Sequence, residues 1–170
     1  TNQKQRITQA GYYLQDQIEL DNWTLVAGGR YDTARSRTDN YLRASQSIQD
    51  DEAVSGKIGL IYNFDNGVAP YVSYSTSFLP VTGTGSNGNA FKPNTAQQRE
   101  LGVKYQPTGL DALFTLAWFD ITQKNVVTYA NALTSYQTGE QRSRGLEFES
   151  KMAVTDSINV TGAFTYTKAE

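Results

Sequence analysis

The stretch from Val54 to Phe78, VSGKIGLIYNFDNGVAPYVSYSTSF, decides the fold. In its first half Val54, Gly56, Ile58, Leu60, Tyr62 and Phe64 alternate with Ser55, Lys57, Gly59, Ile61 and Asn63. A period of two is the signature of a strand with unlike faces. Asp65-Asn66-Gly67 then supplies the residue types that a tight turn needs. Beyond it Val72, Tyr74 and Phe78 alternate with serines. The segment therefore predicts a β-hairpin with one apolar and one polar face.

The same pattern extends in both directions. "WTLVAGGRYD" sets Trp23, Leu25, Ala27, Gly29 and Tyr31 against Thr24, Val26, Gly28, Arg30 and Asp32. "INVTGAFTY" sets Ile158, Val160, Gly162, Phe164 and Tyr166 against Asn159, Thr161, Ala163 and Thr165. "RELGVKY", "GLEFESKM", "LFTLAWFDI" and "GYYLQDQIEL" complete a set of eight strands. In the last of these Asp16 falls in line with Leu14 and Ile18, which calls for a bulge or a partner.

Asp21-Asn22, Asp65-Asn66-Gly67, "PTGLD" and "VTDS" read as tight turns. Long polar segments, at about 33–52, 80–96 and 129–139, alternate with them. All short connections thus fall at one end of an up-and-down sheet and all long ones at the other. A soluble sandwich has no reason to sort its loops by length, whereas outer-membrane barrels do. Trp23, Tyr62, Phe64 and Tyr105 sit beside the short turns; Tyr12, Tyr31, Phe78, Phe164 and Tyr166 lie further along. Two such girdles flank the lipid-facing band of a membrane barrel, about 25 Å tall. The expected fold class is all-β: eight antiparallel up-and-down strands forming part of a larger transmembrane β-barrel.

Composition agrees by exclusion. The chain has 170 residues, a formal net charge of −2, and neither Cys nor His. Thiol nucleophiles, disulfides, imidazole bases and the commonest zinc ligands are thereby absent. There is no basic excess to favour nucleic acid. Glu147 and Glu149 share one strand face, as do Glu100 and Lys104, but an acid/base pair must converge on a pocket. No catalytic residue and no metal ligand is assigned, and an enzyme is not expected. Asp50-Asp51-Glu52 reads as a solvated acidic tip, with calcium or a cation-bridged lipid surface as alternatives. Gly83-Thr-Gly85-Ser-Asn-Gly88 is a literal G-x-G-x-x-G, yet it falls in a long loop with Phe91-Lys92-Pro93 after it. Without a helix to align amides on a pyrophosphate the match is coincidental.

"GYYLQDQIEL", "LVAGGRYD", "YNFDNGVAPYVSYSTSF", "RELGVKY", "RSRGLEFES" and "VTGAFTYTKAE", in this order, resemble the barrel of TonB-dependent siderophore receptors, in particular the ferric hydroxamate (ferrichrome-type) branch. The resemblance covers nearly the whole chain. It implies a barrel of about 22 strands around an N-terminal plug, which falls outside this chain as do the TonB-contacting box and the remaining strands. All of residues 1–170 would then be one partial barrel domain. The resemblance further implies a multi-pass protein of the bacterial outer membrane that imports ferric siderophore, energised through the TonB complex by way of the plug. The ferric siderophore is cargo with its coordination complete, so no cofactor is expected. Outer-membrane lipid and lipopolysaccharide are the other expected partners, and Arg142 and Arg144 are placed just above the lipid band to meet phosphates or neighbouring loops.

Aromatic loop residues suit such a ligand, giving large apolar contact and, for Tyr, a hydroxyl. By loop position the candidates are Phe91, Tyr129 and Tyr136. Two other readings remain open on sequence: a complete eight-stranded barrel acting as anchor or adhesin, and a soluble carbohydrate-binding β-domain. The small barrel must fill its lumen with side chains, whereas inward positions here include Gly28, Gly59 and Gly102.

Overall fold

The computed structural model describes residues 2–42, 44–85, 89–131 and 134–170, and of residues 129–131, 134, 135 and 138 the backbone alone. Eight strands follow one another along the chain: β1 (Gln3–Leu20), β2 (Trp23–Asn40), β3 (Ser45–Tyr62), β4 (Val68–Leu79), β5 (Asn94–Tyr105), β6 (Ala112–Asn131), β7 (Thr134–Thr155) and β8 (Ile158–Ala169). Each pairs antiparallel with the next, in the order β1 to β8. β1 and β8 are not neighbours, so the sheet stays open at both edges. A self-contained eight-stranded barrel, whose first and last strands must pair, is therefore not what these strands form. No helix among the described residues is long and apolar enough to cross a membrane, and a barrel crosses with strands instead.

Cross-strand register turns the alternation of each strand into continuous rows. Ile18, Leu25, Leu60, Val72, Leu101, Trp118, Leu146 and Tyr166 lie opposite one another across all eight strands. Most of this row is open: Val72 is 52% and Leu101 59% exposed. One residue further along each strand the facing row is Gln17, Val26, Gly59, Ser73, Glu100, Phe119, Gly145 and Thr167. One side is thus apolar along this row, with Asp16 of β1 a charged exception beside it, and the other mixed, with polar and small residues prevailing. Such a single layer has little core of its own. Among the described residues the buried apolar side chains are Ala34, Phe91, Ala112, Ala117 and Phe119.

The limit of the apolar side steps along the sheet. On β2, β3 and β4 it extends to Tyr31, Val54 and Phe78 before polar residues begin. On β5 to β8 it stops at Leu101, Trp118, Leu146 and Tyr166, with Arg99, Asp120, Arg144 and Lys168 in the next row. Tyr74, paired with Arg99, is still inside the band on β4. A level membrane crosses tilted, staggered strands obliquely, and a stepped limit is the result. At the other end the short-turn aromatics touch: Trp23 and Tyr62 rings are 4.7 Å apart, Tyr62 and Phe64 4.7 Å, and Tyr105 stacks on Phe114 at 6.4 Å.

Two polar segments expected to be loops are largely strand. β2 and β3 pair without interruption from Trp23/Tyr62 to Asn40/Ser45, so most of 33–52 is a protruding hairpin arm. β6 and β7 likewise pair out to Asn131/Thr134, through a register shift between Tyr129 and Asn131. Beyond lipid a strand needs no apolar face, and without it the sequence loses the alternation by which strands are recognised. Among the described residues only the segment between β4 and β5 is a long loop. Asp16 has no bulge beneath it: β1 and β2 pair in register throughout. Its carboxylate accepts a bond from the backbone N–H of Gln17 at 2.9 Å.

Candidate functional site

On the inner side of the sheet a polar cluster forms around Tyr71. Gly102 lies directly opposite Tyr71, and a Cβ there would come within 2.6 Å of the tyrosine ring. Glycine at this position lets the ring lie flat across the neighbouring strand. Lying so, Tyr71 Oη donates to Glu100 Oε1 at 2.5 Å, while Gln98 Nε2 donates to Glu100 Oε2 at 2.9 Å. Lys104 Nζ is 5.6 Å from the Tyr71 ring centre. Glu147 pairs with Ala117 and Glu149 with Thr115, on the same inner side. The wall therefore presents a run of carboxylates, one of them held by hydrogen bonds, to whatever fills the barrel. Nothing in it matches a pair of acids converging on a substrate.

Further out, the inner side is roofed. The β4–β5 loop, where it is described (80–85 and 89–93), folds onto the inner face of β3 rather than standing away from it. Gln49, on the inner side of β3, donates through Nε2 to the carbonyls of Val81 (3.1 Å) and Phe91 (2.9 Å). On the far side Gln137 holds Lys92 at both backbone groups: Lys92 N donates to Gln137 Oε1 at 2.8 Å, and Gln137 Nε2 donates to Lys92 O at 2.6 Å. Asn125, in the left-handed region at φ 61, donates from Nδ2 to Pro93 O at 2.8 Å. Within the loop Phe91 N donates to Gly83 O at 3.0 Å and Gly85 N to Asn89 O at 2.9 Å, a small hairpin with Thr84 bridging Ala90. The glycine-rich motif is therefore hairpin where it is described, with Gly88 outside the described residues, and no helix follows it.

The aromatic candidates part company. Phe91 is 8% exposed, buried beneath its own loop with its ring against Gly83. Tyr136 is exposed and shares strand parity with Glu140, Arg142 and Arg144, on the outer side. Tyr129 pairs through its backbone with Ser135, and its side chain lies outside the described residues. Phe91 and Tyr136 are not brought onto one surface. Gln49, Gln137 and Asn125 were not foreseen, because the only signal they leave is an amide at an inward position.

The outer face above the apolar band is charged and largely paired. Arg142 forms a two-pronged bond to Asp120, with Nε donating to Oδ1 at 2.9 Å and Nη2 to Oδ2. Arg144 and Lys168 meet Glu170 at 3.1 and 2.6 Å, and Arg35 meets Asp50 at 3.5 Å. The acidic run 50–52 lies in strand, not at a loop tip, so its side chains alternate. Asp50 and Glu52 face outward and Asp51 inward, where Gln49 Nε2 donates to it at 3.0 Å. The three cannot close on one cation, and no cluster of potential metal ligands occurs among the described residues.

Residues 1–170 match the family model for the β-barrel of TonB-dependent-receptor-like proteins. Over 168 residues the chain is 41% identical to the ferrioxamine B receptor of Salmonella typhimurium strain SL1344, covering 98% of this chain and 24% of the relative. Over 164 residues it is 40% identical to the ferrichrome outer membrane transporter/phage receptor of Escherichia coli K12, covering 95% of this chain and 22% of the relative. The chain thus spans about a quarter of the length of the curated relatives it matches. Among solved structures, the alcaligin outer membrane receptor FauA of Bordetella pertussis superposes with a TM-score of 0.81 at 19% identity, over 99% of this chain and 31% of that one. The ferric-catecholate import receptor Fiu of E. coli K12 gives 0.80 at 22% identity, over 98% and 28%. A sheet with one apolar and one polar face, open at both edges, is what a sector of such a wall must be, and this chain belongs to the TonB-dependent receptor β-barrel family of the outer membrane.

Proposed function

We propose that this chain is a sector of an outer-membrane receptor that takes up ferric siderophore, of the hydroxamate type, driven through the TonB complex by a plug encoded elsewhere in the full protein. The observation that carries the reading is the unbroken outward row from Ile18 to Tyr166 with carboxylates on the opposite side. A wall of this kind separates lipid from a wet, occupied interior. The names of the relatives at about 40% identity add the ligand class, ferrioxamine and ferrichrome. Iron would arrive and leave with its coordination complete, so a chain without His or Cys need give it no ligand, and no resident cofactor is called for.

Glu100, Glu147 and Glu149 would face the plug and pair with basic groups on it. Phe91 would serve as the buttress under the β4–β5 loop, while Tyr136, on the outer side of the β6–β7 hairpin, would face away from the ligand. Arg99, Arg142, Arg144 and Lys168, immediately above the band, would meet the phosphates of lipopolysaccharide. The test uses the full-length protein in a host lacking its own hydroxamate receptors under iron limitation. Growth on a ferric trihydroxamate should be restored and should vanish in a host without TonB. Failure to bind or import any ferric siderophore would remove the reading.

A further inference from the structure

β3 and β4 separate part-way up the wall. Their ladder runs only from Ile61/Tyr71 to Lys57/Ser75. At the next position the Thr76 hydroxyl takes the place of backbone, with Gly56 N donating to Thr76 Oγ1 at 2.9 Å. β4 ends at Leu79 and the chain then folds inward, while β3 continues to Ser45 paired with β2. Alternate residues of a strand aim their backbone groups at opposite neighbours. Just past β3, Asn63 N donates to Asn22 O, so odd-numbered residues of β3 serve β2 and even-numbered ones face the side that β4 has left. The N–H and C=O groups of Ile48, Asp50, Glu52 and Val54 therefore meet no backbone partner among the described residues. Val54, where this edge begins, is 79% exposed.

We propose that the β3 edge above the lipid band accepts an extended, cationic polypeptide segment as an added strand. This needs the barrel but not the siderophore reading. Bare strand edges are usually blunted by lysine, proline or a bulge. From Ser45 to Val54 there is no Lys, Arg or Pro, and the pairing with β2 is in register throughout. The charges of the edge are Asp50, Asp51 and Glu52, whereas Lys4, Arg6, Arg35 and Arg37 lie behind it on β1 and β2. An added strand gains main-chain hydrogen bonds from the bare groups and specificity from its alternate side chains. Its residues opposite Asp50 and Glu52 would share their outward side, where lysine pairs with them across the strands. Arg35 reaches Asp50 at 3.5 Å, but with side chains 65% and 64% exposed this is a weak surface pair that leaves room for a second cation. The intervening residues would face inward beside Gln49 and Asp51, which are bonded to each other. A second copy of this chain is the poorer occupant, because edge to edge it sets acidic run against acidic run.

The experiment uses the full-length protein in detergent micelles and a labelled octapeptide of alternating Lys and Thr. In the free protein hydrogen exchange should be fast at Ile48, Asp50 and Glu52, while Gln49 and Asp51, bonded to β2, stay protected. The peptide should protect the first set and leave the second unchanged. Methylating the lysine backbone nitrogens keeps every charge but removes donors, and should weaken binding by roughly tenfold. An alternating Glu-Thr peptide should not bind. Ile48→Pro deletes an edge donor without touching the β2 ladder and should weaken the Lys-Thr peptide by a similar factor. Should that variant fail to fold, Asp50→Asn combined with Glu52→Gln should weaken it instead. Edge amides already protected in the free protein would mean that another loop covers the edge, and protection that grows with protein concentration alone would mean a second copy; either overturns the site. So would a methylated peptide that binds as well as its parent, since charge alone would then hold it, or a Lys-Thr peptide that does not bind.

Discussion

Ile58 stands near the middle of the apolar run on β3, with Tyr62 below and Val54 above on the same side. Lysine there would put a cation in hydrocarbon, and Ile58→Lys should cost about 2–4 kcal/mol of folding stability in lipid vesicles. Ser73→Lys, one position off the Val72 row and inward, should cost far less by the same measurement. Equal costs would mean that the two faces are misassigned. Gly67 shows a different constraint: it sits at φ 83, and a Cβ on it would approach the carbonyl oxygen of Gln106 to 1.9 Å. Gly67→Ala should therefore slow assembly and lower the unfolding midpoint, read by urea titration in vesicles, whereas Asn66→Ala loses only a side-chain bond to Val68 N. On the hairpin arm beyond lipid, the Gln46 amide and then Arg37 hold the Asp39 carboxyl below its usual 3.8. A depressed carboxylate stabilises above its unfolded value and loses that contribution as pH falls through the folded one. Amide protection at the arm tip should thus be constant near neutrality and fall only below pH 3.8, and Gln46→Ala should make that fall smaller by bringing the folded value back towards 3.8.

The elements were legible to different degrees, and the differences have physical causes. Where lipid meets the outside, β3 and β4 must alternate, so Val54–Phe64 and Val72–Phe78 announced themselves. Where water bathes both faces, as along Thr33–Asn40 and Ser45–Glu52, pairing is satisfied by polar residues of any pattern, and the strands read as loop. The β4–β5 loop was legible as a loop but not in its direction. Three side-chain amides fold it inward, and their bonds to main-chain carbonyls leave no trace in hydrophobic periodicity. That dependence can be tested. Gln137 contacts both backbone groups of Lys92 and also donates to Asn125 O at 2.9 Å. Gln137→Ala should free the loop's C-terminal side, raising hydrogen exchange at Phe91 and Lys92 at least several-fold while β5 keeps its protection. If exchange stays unchanged, the clasp is not what holds the roof.

At the scale of the molecule, what the sequence conveyed best was the contrast between the two sides, because lipid and water impose it on every strand at once. It conveyed the packing of the loops less well: nothing in hydrophobic periodicity announces that Phe91 lies beneath its own loop at 8% exposure. The same contrast dictates how this sector must behave apart from the rest of its wall. β1 and β8 each leave one edge unpaired, and the apolar side exposes Leu14, Ile18, Val72, Leu101, Trp118 and Phe164 together. Unpaired edges template further strands, and a contiguous apolar surface of this kind associates in water. In lipid the apolar side would be satisfied but the edges would not, since strands pair all their backbone groups in hydrocarbon only when a barrel closes. Expressed alone, residues 1–170 should therefore sediment as aggregate without detergent and, in detergent, form oligomers that pair β1 of one copy with β8 of the next. Analytical ultracentrifugation distinguishes the outcomes. A stable monomer in plain buffer would contradict the open, two-sided sheet, and a detergent-solubilised monomer resistant to heat would require the two edges to have found each other.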